Sequence, residues 1–244
     1  MSTVLVTGAN RGIGLELTRQ YTEDGWHVRA CCRSDSDALK QLQDAHPDRI
    51  SLHQLDVGDH ESVDRLADSL SGEPVDVLIN NAGRYGKLPL SGGGEEDQSF
   101  GHSDYDDWAY TMRINVFGPM KVSEALIENV AGSEMKKIAH ITSFLGSSTL
   151  NTRTASGEFA GGMYAYRTSK TSVNIMARSM AVDLEPKGIT VLAVHPGWVQ
   201  TDMGGPDAQL TPADSVAGIR SVIAAATIRE SGSLSTYDGS VLPP

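Results

Sequence analysis

Short apolar runs alternate along the chain with longer amphipathic ones. Val4-Leu5-Val6, Val28 to Cys32, Ile50 to Leu55, Val75 to Ile79, Ile138 to Ile141, Thr190 to Val194 and Leu234 to Tyr237 are brief and rich in β-branched residues. Runs of that length and composition predict strands buried on both faces. Between them, Ile13 to Tyr21, Ala38 to Ala45, Val63 to Leu70, Trp108 to Val130, Ala165 to Leu184 and Pro212 to Ile228 carry apolar residues at helical spacing. The alternation predicts an α/β fold, one doubly wound domain over 1–244 with a parallel sheet of about seven strands and helices on both faces.

Two segments break the rhythm. Leu90 to Asp107 holds Gly92-Gly93-Gly94 and Glu95-Glu96-Asp97 and predicts a mobile surface loop; Asn151 to Gly162 is a second irregular stretch. Loops this long in a compact domain tend to be functional or disordered, and the second falls where it would border a substrate site.

Composition narrows the function classes. With 244 residues, 39 % hydrophobic content and a net charge of -11, the chain has ample material for a core and no basic face for duplex nucleic acid or an anionic membrane. Met1 leads directly into Thr3-Val4-Leu5-Val6 with no basic leader, and no apolar run approaches membrane-spanning length, so the expectation is a cytoplasmic protein. The cysteines, Cys31 and Cys32, are adjacent, too strained for an ordinary disulfide and too few for zinc; no metal site is expected.

The first strand is followed by Thr7-Gly8-Ala9-Asn10-Arg11-Gly12-Ile13-Gly14 and then a helix. Strand, glycine turn and helix N-terminus form an anion site: backbone N–H groups point outward, the helix dipole favours negative charge, and missing Cβ atoms admit a pyrophosphate. Standing at the first strand–helix junction, the pattern predicts the start of a Rossmann-type dinucleotide site, the alternative being a tight turn only. The second strand ends Cys31-Cys32-Arg33, and Cys32 stands where an NAD site would place a carboxylate for the ribose 2′-hydroxyl. Arg33 and Arg11 offer guanidinium forks to a 2′-phosphate, so NADP(H) is expected over NAD(H), although both arginines would also serve as ordinary solvated loop charges. Asp56-Val57 and Asn80-Asn81-Ala82-Gly83 follow the third and fourth strands, on the crevice side of the sheet: Asp56 suits an adenine amino group, Gly83 a close backbone approach, and Asn80 either a ligand or a tie between strands.

Candidate reacting groups fall later. Tyr166 and Lys170 stand four apart on one helical face, where an ammonium lowers a phenol pKa from its usual value of about 10 toward the range of a general acid. Tyr164, two positions earlier, points roughly 160° away at about 100° per residue, which singles out Tyr166. Alone, such a pair is commonly an exposed helix face. Ser143, just past the fifth strand, is placed to donate to a substrate oxygen, with Ser147 and Ser148 as competitors; Asn115, inside a long helix, carries no signal of its own.

Taken together, Thr7-Gly8-x-x-x-Gly12-x-Gly14, Asn80-Asn81-Ala82-Gly83, Asn115, Ser143, Tyr166-x-x-x-Lys170 and Pro196-Gly197 closely resemble the short-chain dehydrogenase/reductase family over nearly the whole chain. The resemblance implies Tyr166 as acid/base, Lys170 on the nicotinamide ribose and lowering the tyrosine pKa, Ser143 orienting the carbonyl, and Asn115 holding a water in a relay to Lys170. It further implies a cofactor site of Gly8, Asn10, Arg11, Gly12, Ile13, Gly14, Arg33, Asp56, Val57, Asn81, Ala82, Gly83, Tyr166, Lys170, Pro196, Gly197, Val199 and Thr201. His195 to Gly205 and the ending Tyr237-Asp238-Gly239 look like the branch of the C-factor signalling proteins and sniffer-type carbonyl reductases. The stretch from Ser143 to Tyr166 is longer than the family's usual, and that from Met203 to Thr211 is short.

The expected activity is therefore an NADP(H)-dependent carbonyl reductase or alcohol dehydrogenase, its substrate faced by a largely apolar wall of Phe144, Leu145, Leu150 to Gly162, Trp198 and Met203, although some of these would equally pack the core. Two rivals stand beside it: a nucleotide-binding signalling protein of C-factor type, and an isomerase or epimerase, for which too few residues remain after Pro196-Gly197. Long helices at Trp108 to Val130 and Ala165 to Leu184 resemble those that pair subunits in the family, implying a homodimer or homotetramer.

Overall fold

In the computed structural model, residues 1–86, 98–151 and 161–244 are described. Seven parallel strands run in the order β3-β2-β1-β4-β5-β6-β7. They are β1 (Thr3–Thr7), β2 (His27–Cys32), β3 (Ile50–Gln54), β4 (Val77–Asn80), β5 (Lys137–Ile141), β6 (Thr190–His195) and β7 (Leu234–Thr236). The expected α/β architecture is thus observed. The order reverses between β1 and β4, so the loops leaving these two strands splay to opposite sides and open a crevice at their carboxyl ends.

Alternation along each strand feeds two cores. Leu5, Leu78, Ile138 and Val191 face α3 (His60–Ser69), α5 (Gly118–Ala125) and α7 (Tyr164–Leu184), whereas Val4, Val6, Val77, Ile79, Ala139 and Leu192 face α1 (Gly12–Glu23), α2 (Asp37–Ala45) and α8 (Pro212–Ala225). Cys31 and Cys32 are free thiols, one buried in each core, as strand residues should be. No described helix is long and apolar enough to cross a membrane.

Two expectations need correction. Trp108 to Val130 is not one helix: α4 (Tyr105–Met112) gives way to a π-helical turn at Arg113–Phe117, then α5, then α6 (Ile127–Ala131). The wide turn swings Asn115 inward, where its amide bonds outweigh the lost helical regularity; π turns recur at functional sites for this reason. Leu90 to Asp107 is not loop throughout either. Asp104 caps α4 by accepting the Asp107 N–H at 3.0 Å, so Tyr105 to Asp107 are helical, and Gln98 is only 3 % exposed. Residues 90–97 of that loop and 152–160 of the second irregular stretch lie outside the described residues.

Candidate active site

The crevice at the β1/β4 switch is a cleft of about 320 Å³. Of the expected cofactor residues, Gly8, Asn10, Arg11, Gly12, Ile13, Gly14, Arg33, Asp56, Val57, Asn81, Ala82, Gly83, Tyr166, Lys170, Pro196 and Thr201 line it. Gly197 and Val199 do not; Val199 is 4 % exposed and pairs by a β-bridge with Leu210. Asn80 is also absent, since its amide points into the core and donates to Ser123 Oγ at 3.0 Å.

Tight packing explains the glycine turn. A Cβ on Gly14 would sit 2.1 Å from the carbonyl oxygen of Gly8 and 2.6 Å from Asn81 Nδ2. Thr7 Oγ1 accepts the N–H groups of Asn81 and Ala82, each at 3.0 Å, while Asn81 Nδ2 donates to the Thr7 carbonyl at 2.8 Å. The turn is therefore bolted to the end of β4. Arg11, the residue preceding α1, is extended and caps it with no side-chain bond, leaving a backbone-lined helix N-terminus at the cleft. Such a cradle fits the pyrophosphate of a dinucleotide.

On the adenosine side, Cys32, Arg33 and Ser34 line the wall. Asn10 donates to the Ser34 carbonyl at 3.0 Å, and Ser36 Oγ donates to the Asn10 carbonyl at 2.6 Å, so the glycine turn and the loop after β2 form one unit. A carboxylate does stand nearby: Asp35, which accepts from the Cys32 thiol at 3.5 Å but is not among the lining residues. Arg11 crosses the mouth of the cleft to Asp202 at 2.6 Å, an exposed pair of the kind that contributes little and exchanges readily. Asp56 Oδ1 accepts the Gly58 N–H at 2.9 Å.

Of the expected reacting groups, Tyr166 and Lys170 line the cleft and Ser143 does not. Tyr166, on the first turn of α7, is 8 % exposed, and burial pushes its phenol up to about 12, opposed by a hydrogen bond with Ser143. Ser143, just beyond β5, is itself 5 % exposed. Lys170 Nζ lies over the tyrosine ring, 5.7 Å from its centroid, and donates to the Ile141 carbonyl at 2.9 Å. Burial brings its ammonium down to about 8. Two imidazoles near it, the buried His140 and the half-buried His195, are each held down at about 4, by desolvation first and by Lys170 second, and so stay neutral at pH 7. Tyr164 turns outward and stacks on Trp108 at 6.3 Å, as helical geometry requires of the residue two before Tyr166.

Asn115 is held by three hydrogen bonds of its side chain. Its Oδ1 accepts the Arg84 N–H at 2.8 Å, and its Nδ2 donates to the Arg84 carbonyl at 2.8 Å and to Ser169 Oγ at 2.9 Å. The side chain thereby ties the strand-end segment after β4 to α7 beside Lys170. Ser147 and Ser148 point elsewhere, both donating to the Pro244 carbonyl. Sequence reasoning missed Arg84, which lines the cleft, pairs with Asp107 at 2.7 Å and covers the Tyr110 ring at 4.8 Å; its place directly after Asn80 to Gly83 was the available signal. Of the expected substrate wall, Met203 lines the cleft, whereas Phe144 packs on His195 at 5.0 Å and Trp198 donates to the Gly204 carbonyl at 2.7 Å.

Known proteins are similar to this chain in sequence and in fold. The family model for short chain dehydrogenases matches residues 2–210. C-signal of Myxococcus xanthus is 43% identical over 170 residues, covering 70% of this chain and 93% of that protein. The carbonyl reductase Sniffer of D. melanogaster superposes with a TM-score of 0.85 at 29% identity over 100% of both chains. The NADPH-bound carbonyl reductase from chicken fatty liver gives 0.86 at 27% identity, covering 100% of this chain and 99% of that one. With its strand order, glycine turn and buried tyrosine–lysine pair in place, this chain belongs to the short-chain dehydrogenase family.

Proposed function

We propose that residues 1–244 form one dinucleotide-binding and catalytic unit, a cytoplasmic NADP(H)-dependent reductase of carbonyl compounds. The observation that carries this reading is the convergence of the buried Tyr166 and Lys170 on a backbone-lined dinucleotide cleft, with Ser143, which does not itself line the cleft, hydrogen-bonded to Tyr166. When bound, NADPH supplies the hydride. The backbone at the N-terminus of α1 receives the pyrophosphate, Arg33 and Arg11 the 2′-phosphate, with Arg11 leaving Asp202, and Lys170 the nicotinamide ribose. Ser143 donates to the carbonyl oxygen and holds it beside Tyr166, whose phenol gives up its proton as charge develops there. The Lys170 ammonium, charged below about 8, offsets the phenolate left behind. Burial of the phenol keeps bulk water from competing for that proton.

Met203, with Tyr110 and Ile114 in the same lining, favours an apolar ketone, aldehyde or quinone over a charged substrate. Exposed Phe117, Ile175 and Val182 near and on α7 suit a self-associating dimer or tetramer. A second reading, a nucleotide-binding signalling protein, draws on the 43% identity to C-signal. Titration with NADPH and NADH by fluorescence, followed by a carbonyl panel read at the nicotinamide absorbance, separates the two: binding with turnover supports the reductase, binding without turnover the signalling protein.

Cofactor choice has its own test. Replacing Arg33 with Ala removes a charge-assisted bond of about 1.5–3 kcal/mol, so NADPH affinity should fall about 10- to 100-fold while NADH affinity holds. Equal losses for both cofactors would show that Arg33 does not read the 2′-phosphate.

A further inference from the structure

The helix that carries Tyr166 starts badly. Its entry runs through Gly161, Gly162 and Met163, all at positive φ, and Met163, at φ 53, has an apolar side chain that cannot cap the helix. The position normally bonded by a capping side chain, the third residue inside the helix, is Tyr166 itself. Its N–H is satisfied from 68 residues away: Gln98 Oε1 accepts it at 2.9 Å in a fully buried bond. The other end of the same amide, Nε2, donates to the Tyr85 carbonyl at 2.8 Å. Tyr85, 5 % exposed, lays its ring on that of Tyr166, centroids 4.7 Å apart at 32°.

We propose that Gln98 is a positioning residue for the reaction: a cap supplied in trans that fixes the first turn of α7 and, through Tyr85, the packing on the Tyr166 ring. The proposal rests on the reading of Tyr166 as the proton donor. Two features make the amide specific. Its partners are of opposite kinds, a backbone donor and a backbone acceptor, so only a side chain with one acceptor and one donor on the same carbon satisfies both. Space for it is provided by Gly86, at φ 139, where a Cβ would come within 2.6 Å of Gln98 Nε2. Losing the amide leaves two buried backbone groups unpaired on either side of the phenol.

Two variants of the full chain, measured with NADPH, test the assignment. Gln98→Leu should lower kcat about tenfold or more through misplacement of the phenol, with NADPH affinity largely kept because Gln98 itself does not line the cleft and the glycine turn is untouched. Gln98→Glu separates a brace from general support. Its protonated acid reproduces both hydrogen bonds and its carboxylate reproduces one, so its kcat relative to the parent should be near normal at low pH and fall toward that of the Leu variant as the new carboxyl ionises. A Leu variant with parental kcat, a Glu variant whose ratio to the parent is flat with pH, or a loss of NADPH affinity in step with kcat would each overturn the assignment. Should the parent enzyme reduce no carbonyl in the panel, the reductase reading fails on its own account, and Gln98 is then judged by the phenolate absorbance of Tyr166, taken as the difference from the Tyr166→Phe protein. Water reaching a loosened ring should bring that titration from about 12 down toward the ordinary value of about 10; an unmoved midpoint would overturn the assignment as well.

Discussion

Tyr166→Phe should lower kcat for carbonyl reduction by about 10²- to 10⁴-fold, the usual contribution of a positioned general acid, while NADPH binds as before. The ring is retained, so its contact with Tyr85 and the space beneath Lys170 survive; the phenol oxygen alone is lost. Steady-state kinetics beside a fluorescence titration of NADPH check this, and a variant with near-parental turnover would remove Tyr166 from the chemistry. The same assignment fixes how the two directions depend on pH. Reduction requires the protonated phenol, which burial favours, whereas alcohol oxidation requires the phenolate. Oxidation should therefore climb with rising pH toward the phenol's titration, whereas reduction should hold at lower pH and fall from about pH 8 upward, as Lys170 loses the charge that offsets the phenolate. Rates in both directions that follow one common profile would mean that another group moves the proton.

How much of this was legible in the sequence depends on the range of the interaction. Strands such as Val4-Leu5-Val6 and Ile138 to Ile141 announce themselves because a fully buried parallel strand is apolar on both faces, and their parallel order follows from the helices between them. Gly8, Gly12 and Gly14 were legible for a local reason: strand, turn and helix start are contiguous, with close backbone approach at Gly8 and Gly14 and positive φ at Gly8 and Gly12 favouring glycine. Tyr166 and Lys170 share a helical face, again a short-range relation.

Asn115 was opaque because its partners, Arg84 and Ser169, are 31 and 54 residues away, and the π turn that aims it has no periodic signature. Gln98 was hidden more thoroughly, at the edge of a glycine-rich acidic stretch that predicts a solvated loop, its two bonds reaching backbone groups whose residue types carry no information. Arg11 and Asp202, 191 residues apart, meet only because the β6–α8 segment folds back over the glycine turn. Residues brought to the cleft by regular elements were therefore readable, and residues that hold those elements in place from a distance were not.

Gly14→Ala should be the most damaging single methyl in the molecule for cofactor binding. The added Cβ would sit 2.1 Å from Gly8 O and 2.8 Å from Gly8 C, and both are backbone atoms that cannot swing aside as a side-chain tip would. Nor can the turn retreat, since Asn81 and Thr7 fasten it to β4 and Asn10 to the loop after β2. The strain must move α1 outward, and overpacking of this kind costs about 1–3 kcal/mol. At about 2–4 °C per kcal/mol for a chain of this size, Tm should fall by about 2–12 °C. NADPH affinity should fall further than stability alone explains, by about tenfold or more, because the N–H groups that receive the pyrophosphate belong to the helix that is displaced. Calorimetry and an NADPH titration on the same preparation measure the two effects. A variant that melts earlier yet binds NADPH as tightly as the parent would place the dinucleotide away from this turn, and with it would go the reading of the cleft floor as the reaction centre.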